Sequence, residues 1–104
     1  MAATYYNPGL GSCGISNSDS EFVVAVDAQT IQTFPGAGTN PNFNPMCGRQ
    51  MRVTYQTKSV TVKVVDTCPS ASCKVGSLDL SPTAFERLAP LSVGRLHGIS
   101  WTLL

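Results

Sequence analysis

The sequence predicts a small all-β fold of six strands closed into a barrel, with one or two short helices and disulfide staples. Three observations carry this. Short segments of alternating or continuous apolar residues recur between clusters of Gly, Pro, Asn and Ser, as strands between turns do. Four cysteines are spread along 104 residues. No internal repeat or linker interrupts the pattern, so residues 1–104 read as one domain. A core this small gives only marginal stability alone, so covalent staples are expected, and a closed barrel leaves no unpaired strand edge.

Taken in order, Ala3-Thr4-Tyr5-Tyr6 is a short β-prone segment stopped by Asn7-Pro8-Gly9. Gly11-Ser12-Cys13-Gly14 continues as a glycine-rich loop; no Lys-Ser/Thr follows and no helix begins, so a phosphate cradle is poorly supported. Phe22–Val26 is continuously apolar, which suits a strand buried on both faces, and Asp27 is placed to cap a turn or helix over Ala28–Thr33. From Phe34 to Pro45 the chain is all turn chemistry, an ordered surface loop pinned by Cys47, with Phe43 either resting on the barrel or facing a ligand. Met51, Val53 and Tyr55 alternate with polar residues, turn at Gln56-Thr57-Lys58, and pair with the alternating strand Val60–Val64 that ends at Asp66.

The stretch Ser59–Ala89 holds most of the chemistry. Cys68 and Cys73 bracket a Pro-Ser-Ala-Ser loop, and Ser77-Leu78-Asp79-Leu80 returns as a short strand with Asp79 opposite the leucines. Ser81 before Pro82 signals a helix start. That helix presents Ala84, Phe85, Leu88 and Ala89 on one face, turns Glu86 and Arg87 outward, and stops at Pro90. Gly94–Leu103 reads as a final strand.

Charged residues make up only 12% of the chain and the formal net charge is +1. Lys74, Arg87 and Arg95 read as scattered rather than clustered, so no nucleic-acid partner is expected. No apolar run reaches membrane-spanning length, and no membrane partner is expected either. No secretory leader precedes Ala2, so Met1 is expected to be an added start rather than a natural mature terminus. Of the three pairings open to four cysteines, Cys13–Cys47 with Cys68–Cys73 is favoured, because the short loop brings its own cysteines together. On the chain-entropy argument these bridges contribute roughly 4 and roughly 2 kcal/mol. Zinc is the weaker reading, with His97 the sole histidine and no second close cysteine pair; neither metal nor cofactor is expected. Disulfides imply an oxidising compartment, hence a secreted, extracellular protein expected to be monomeric.

The ordered motifs TYYNPGLGSCG, NPMCGR, VTVKVVDTCP, LDLSPTAFERLA and GRLHGISW resemble the double-psi β-barrel group of expansin-related and rare-lipoprotein-A-like proteins, over nearly the whole chain. Cysteine spacing and the lack of a second domain look most like the single-domain fungal loosenins. The resemblance implies a groove for cell-wall polysaccharide, cellulose or chitin, lined by Asp66, Asp79 and Thr4. Asp79 corresponds to the general acid of related glycoside hydrolases and transglycosylases. It also implies loosening of polysaccharide packing without net bond cleavage, because the distant base that hydrolysis uses does not accompany the pair. One departure is that bacterial expansins carry an aromatic just after the first aspartate, where this chain has Cys68.

The six acids bear on this directly. Asp19 and Glu21 fall in a polar loop, Asp27 looks like a cap and Glu86 lies on the outer helix face, which leaves Asp66 and Asp79 as the one plausible catalytic pair. The plainer alternative is that Asp66 accepts loop N–H groups and Asp79 caps the helix. Tyr5 and Tyr6 are candidates to stack on sugars, Trp101 reads as core, and His97 as structural. Oxidised cysteines and a lone histidine speak against a nucleophilic protease. A second functional class stays open: inhibition of a papain-like cysteine protease, or a host-directed effector role, by the rigid loops Gly9–Gly14 and Pro69–Ser72, with the aspartates dispensable.

Overall fold

In the computed structural model, which describes residues 1–104, seven strands form one curled sheet. They are β1 (Ala2–Tyr5), β2 (Val23–Asp27), β3 (Gln50–Tyr55), β4 (Lys58–Cys68), β5 (Leu78–Leu80), β6 (Leu96–His97) and β7 (Ser100–Leu103). Their lateral order is β6-β1-β5-β2-β4-β3-β7. The pairs β1–β5 and β2–β4 are parallel and the others antiparallel. Parallel neighbours need long connections, which is why β1 finds its partner over seventy residues later, at Leu78.

The seventh strand corrects the expected count of six. Gly94–Leu103 does not run straight, because Gly98 adopts φ 79°, a conformation that side chains other than glycine rarely take. Leu96–His97 therefore joins β1 while Ser100–Leu103 joins β3, at the opposite end of the strand order. Two consecutive pieces of chain thus occupy the two ends of the sheet, so the sheet curls to bring them to one corner; β6 and β7 do not pair with each other, and the sheet is a curled half-barrel rather than the closed barrel expected. The N–H groups of Gly98 and Ile99 both donate to the Met1 carbonyl at the turn.

Alternation decides what is buried. Met51 and Val53 on β3 face Val62 and Val60 on β4, and all four join Val24, Val26, Val64, Leu78, Leu80 and Phe85 in a single core cluster. The hairpin turn is tighter than expected, since β4 already begins at Lys58. Helix α1 (Ala28–Gln32) is capped by Asp27, whose Oδ2 accepts from the Thr30 N–H at 3.0 Å. Its Oδ1 accepts from the Gly76 N–H at 2.9 Å, which explains why a carboxylate only 1% exposed is tolerated. Helix α2 (Pro82–Glu86) is capped by Ser81, with Pro82 in its first turn. It is shorter than expected, ending at Glu86 with Arg87 as its C-cap; it buries Ala84 and Phe85, the turn that follows buries Leu88 and Ala89, and Glu86 and Arg87 are exposed.

Both disulfides take the expected pairing, Cys13–Cys47 and Cys68–Cys73, and no cysteine is free. Trp101, expected in the core, is half-buried against it and donates from Nε1 to the Gly76 carbonyl at 3.0 Å. No helix is long and apolar enough to cross a membrane.

Candidate functional site

Strand register builds the site. Thr4 on β1 lies beside Asp79 on β5, Asp79 lies beside Ala25 on β2, and Ala25 lies beside Asp66 on β4. Residues in register on neighbouring strands point to one face, so Thr4, Asp79, Ala25 and Asp66 form a transverse row. The two aspartates are two strand spacings apart at the backbone, about 9–10 Å. This face is the one turned away from the main core.

Between the aspartates sits a second, small apolar cluster. Ala25, Cys68 and Cys73 are buried together with Tyr6 packed on them. The tyrosine therefore rests on Ala25 and the disulfide, and its hydroxyl reaches Asp66 Oδ2 at 3.4 Å. Burial pushes the Tyr6 phenol well above its usual range, and the charges of Asp66 and then Asp79 push it further in the same direction. It remains a neutral hydrogen-bond donor beside both carboxylates.

The two acids are held differently. Asp66 Oδ1 accepts from the Ser12 N–H at 2.9 Å and from the Thr67 N–H at 2.8 Å. Gly11, one residue earlier, is pressed so closely to β4 that a Cβ there would collide with the Val65 carbonyl oxygen. Asp66 thus fastens the Gly9–Gly14 loop to the sheet, together with the Cys13–Cys47 bridge. Asp79 receives one hydrogen bond, from Thr4 Oγ1 at 2.9 Å. Burial raises its carboxyl above the ordinary value; Thr4 opposes that, the Asp66 charge adds to it, and Arg95 opposes it. The helix cap expected of Asp79 in the plainer alternative falls instead to Ser81.

Of the residues singled out in the sequence, Thr4, Tyr6, Asp66 and Asp79 come together. Tyr5 does not join them, since alternation along β1 turns it to the opposite face. Its ring packs edge-on against Phe85, with centroids 4.9 Å apart. The remaining acids are occupied elsewhere. Asp19 accepts from Asn7, Glu21 is held below its usual range first by the Ser18 N–H, Asp27 caps α1 and Glu86 is on the outer helix surface. No group of three or more His, Cys, Asp or Glu is arranged to hold a metal ion. Phe43 is 80% exposed and rests on nothing.

The surface holds two cavities. One, of about 410 Å³, is lined by uncharged groups including Gln32, Thr39 and Asn44, with Ser12 and Thr67 at its edge; by alternation along β4, Thr67 faces away from the side that carries Asp66. The other, of about 330 Å³, lies beyond Thr4 and Asp79 and includes Lys74, Arg95 and His97. Sequence reading missed both. Ser12 and Thr67 lie within the motifs but are given no role of their own there, and Lys74 and Arg95, which look scattered in the chain, are gathered by folding. His97, expected to be structural, is exposed on the rim of this second cavity.

A disulfide-braced double-psi β-barrel with two aspartates in a row across one sheet face is the class that this fold and site define. Residues 1–98 match the family model described as lytic transglycolase, and the chain belongs to that double-psi β-barrel family, homologous to expansins. It is 40% identical to the papain inhibitor of Streptomyces mobaraensis over 101 residues, 94% of this chain and 66% of that protein. It is 31% identical to expansin-like protein 1 of Dictyostelium discoideum, over 96% of this chain and 35% of that protein. The chain therefore spans just under two thirds of one relative and about a third of the other. Among solved structures, Streptomyces papain inhibitor superposes with TM-score 0.85 at 39% identity, covering 99% of this chain and 90% of that one. A mutant Clavibacter michiganensis expansin in complex with cellohexaose superposes with TM-score 0.75 at 29% identity, covering 99% and 48%.

Proposed function

We propose that this protein is secreted and binds cell-wall polysaccharide, cellulose or chitin, along the groove over Thr4, Asp79, Tyr6 and Asp66, loosening it without net bond cleavage. The observation that carries this reading is the unequal state of the two acids. Asp79 is partly desolvated and open to a ligand hydroxyl, while Asp66 is engaged by two backbone N–H groups as a structural clamp. Hydrolysis calls for a protonated acid and a second carboxylate free to act as base or nucleophile. With the other four acids occupied elsewhere, no such second group is left. Asp79 with a raised affinity for its proton still donates or accepts one hydrogen bond, and the Tyr6 hydroxyl, whose proton goes to Asp66, adds an acceptor beside it. That is sufficient to compete for the hydroxyl contacts between packed glycan chains. The likeness to an expansin in complex with cellohexaose supports the same use of the fold. Two disulfides support an oxidising destination.

The test is a pull-down on insoluble cellulose and chitin with parallel measurement of released reducing sugar. Binding with no sugar release, weakened by Asp79→Asn, supports the proposal. Steady sugar release abolished by Asp79→Asn would make the protein a glycosidase or lytic transglycosylase instead.

A second reading is favoured by a specific surface. The Gly9–Gly14 loop is a tight excursion closed by the Leu10–Ser16 bridge and by hydrogen bonds from Gly11 N–H to the Ile15 carbonyl and from Asn17 N–H to the Gly9 carbonyl. It exposes Leu10 at 75%, and Ile15, just after it, is exposed at 55%. A braced loop with apolar tips suits insertion into a protease cleft at little ordering cost, and the likeness to papain inhibitors adds weight. On this reading a papain titration gives stoichiometric inhibition that survives Asp79→Asn and is lost with Leu10→Asp.

A further inference from the structure

The cavity beside Thr4 and Asp79 is basic, and that charge bears on which polysaccharide the groove takes. Ala2 precedes Thr4 by two residues on β1, and Ser77 precedes Asp79 by two, so both belong to the face that carries the row. Ala2 and Ser77 line the 330 Å³ cavity, which is therefore the next step of the groove rather than a separate hollow. Across it stands His97, in register with Ala2. Lys74 and Arg95 complete the rim, with the hydroxyls of Ser70 and Ser72 between. No carboxylate lines this cavity.

Building on the polysaccharide reading, we infer that the groove selects a glycan bearing carboxylate groups, a uronate-type polymer, with an acidic sugar seated among Lys74, Arg95 and His97. A neutral glucan draws nothing from these cations beyond ordinary hydrogen bonds. A sugar carboxylate matches them, since a guanidinium offers a two-pronged donor to its two oxygens and a lysine adds a point charge.

The test measures solution binding of a uronate-bearing oligosaccharide and of its carboxyl-reduced neutral counterpart. The proteins are the wild type, the triple variant Lys74→Gln, Arg95→Gln, His97→Gln, and a control with Arg52→Gln and Lys58→Gln on the distant β3–β4 hairpin. The wild type is expected to prefer the acidic form by about tenfold at low salt, with the preference fading as salt is added. The triple variant loses that preference, binding the acidic and the neutral form alike; the control keeps the preference. A wild type that binds both forms equally overturns the inference while leaving the polysaccharide reading intact. A wild type that binds neither form, nor cellulose or chitin, overturns both. A preference that persists in the triple variant, or is lost equally in the control, assigns it to general surface charge. A sulfated oligosaccharide preferred over the carboxylated one in the wild type alone refutes the carboxylate assignment.

Discussion

Asp66 and Asp79 are the same residue type on the same sheet face, with only Ala25 between them in the row, yet the fold uses them in opposite ways. Asp66 accepts three hydrogen bonds, two of them from backbone N–H groups, and ties the disulfide-anchored Gly9–Gly14 loop to β4. Asp79 accepts one and is left partly desolvated with its proton held more tightly than usual. A carboxylate whose acceptor positions are filled by its own backbone stabilises the fold and has little left for a ligand. One left underprovided costs stability and retains its capacity for chemistry. The difference is one of neighbours, since neither residue carries its role in its identity.

This contrast predicts a graded series of stability changes. The largest belongs to the loop that Asp66 holds: replacing Cys13 and Cys47 by serine should cost roughly 4 kcal/mol in denaturant unfolding. A loss below about 1 kcal/mol would mean that the hydrogen bonds alone fix the loop. Gly11→Ala forces a methyl group into the Val65 carbonyl and should cost about 3 kcal/mol, in the range of core overpacking; an unperturbed melting curve would show that the close approach is not required. Asp66→Ala strands the N–H groups of Ser12 and Thr67 and should cost about 2 kcal/mol.

Asp79→Asn is expected to have the smallest effect and the opposite sign. The native Asp79 carboxyl titrates above its ordinary value of 3.8. Over the interval between that value and the native one, the folded protein holds a proton that the unfolded chain has released. Stability therefore falls as pH rises through that interval, and the loss persists at neutral pH. Asparagine keeps an acceptor for Thr4 without that loss. Thermal unfolding should accordingly show the variant matching the wild type below about pH 4 and slightly exceeding it at pH 7. A lower midpoint at pH 7 would place Asp79 with Asp66 as a structural residue and erase the contrast.

Local rules carried much of the architecture into the sequence. Asp27 and Ser81 were legible as caps because capping depends on one side chain and the three residues after it. The β3–β4 hairpin and the buried face of α2 follow from alternation and helical periodicity. The cysteine pairing followed from loop length. Less accessible was anything set by lateral register between distant strands. The split at Gly98 depends on where β6 and β7 find their partners, and a lone glycine in an apolar segment does not announce that. The floor of the site rests on Ala25 lying between two aspartates more than forty and fifty residues later in the chain. Likewise, nothing local brings Lys74 beside Arg95 and His97. Tyr5 and Tyr6 are equivalent as letters, and only the phase of β1 sends one to Phe85 and the other to Asp66.

The most direct test of the central claim is a binding isotherm on insoluble cellulose and chitin for the wild type, Asp79→Asn and Asp66→Asn, with reducing sugar assayed in each supernatant. The account predicts saturable wild-type binding without sugar release, and clear weakening by Asp79→Asn in a protein that is at least as stable as wild type at pH 7. Undiminished binding by folded Asp79→Asn, or sugar released in proportion to time, would contradict it.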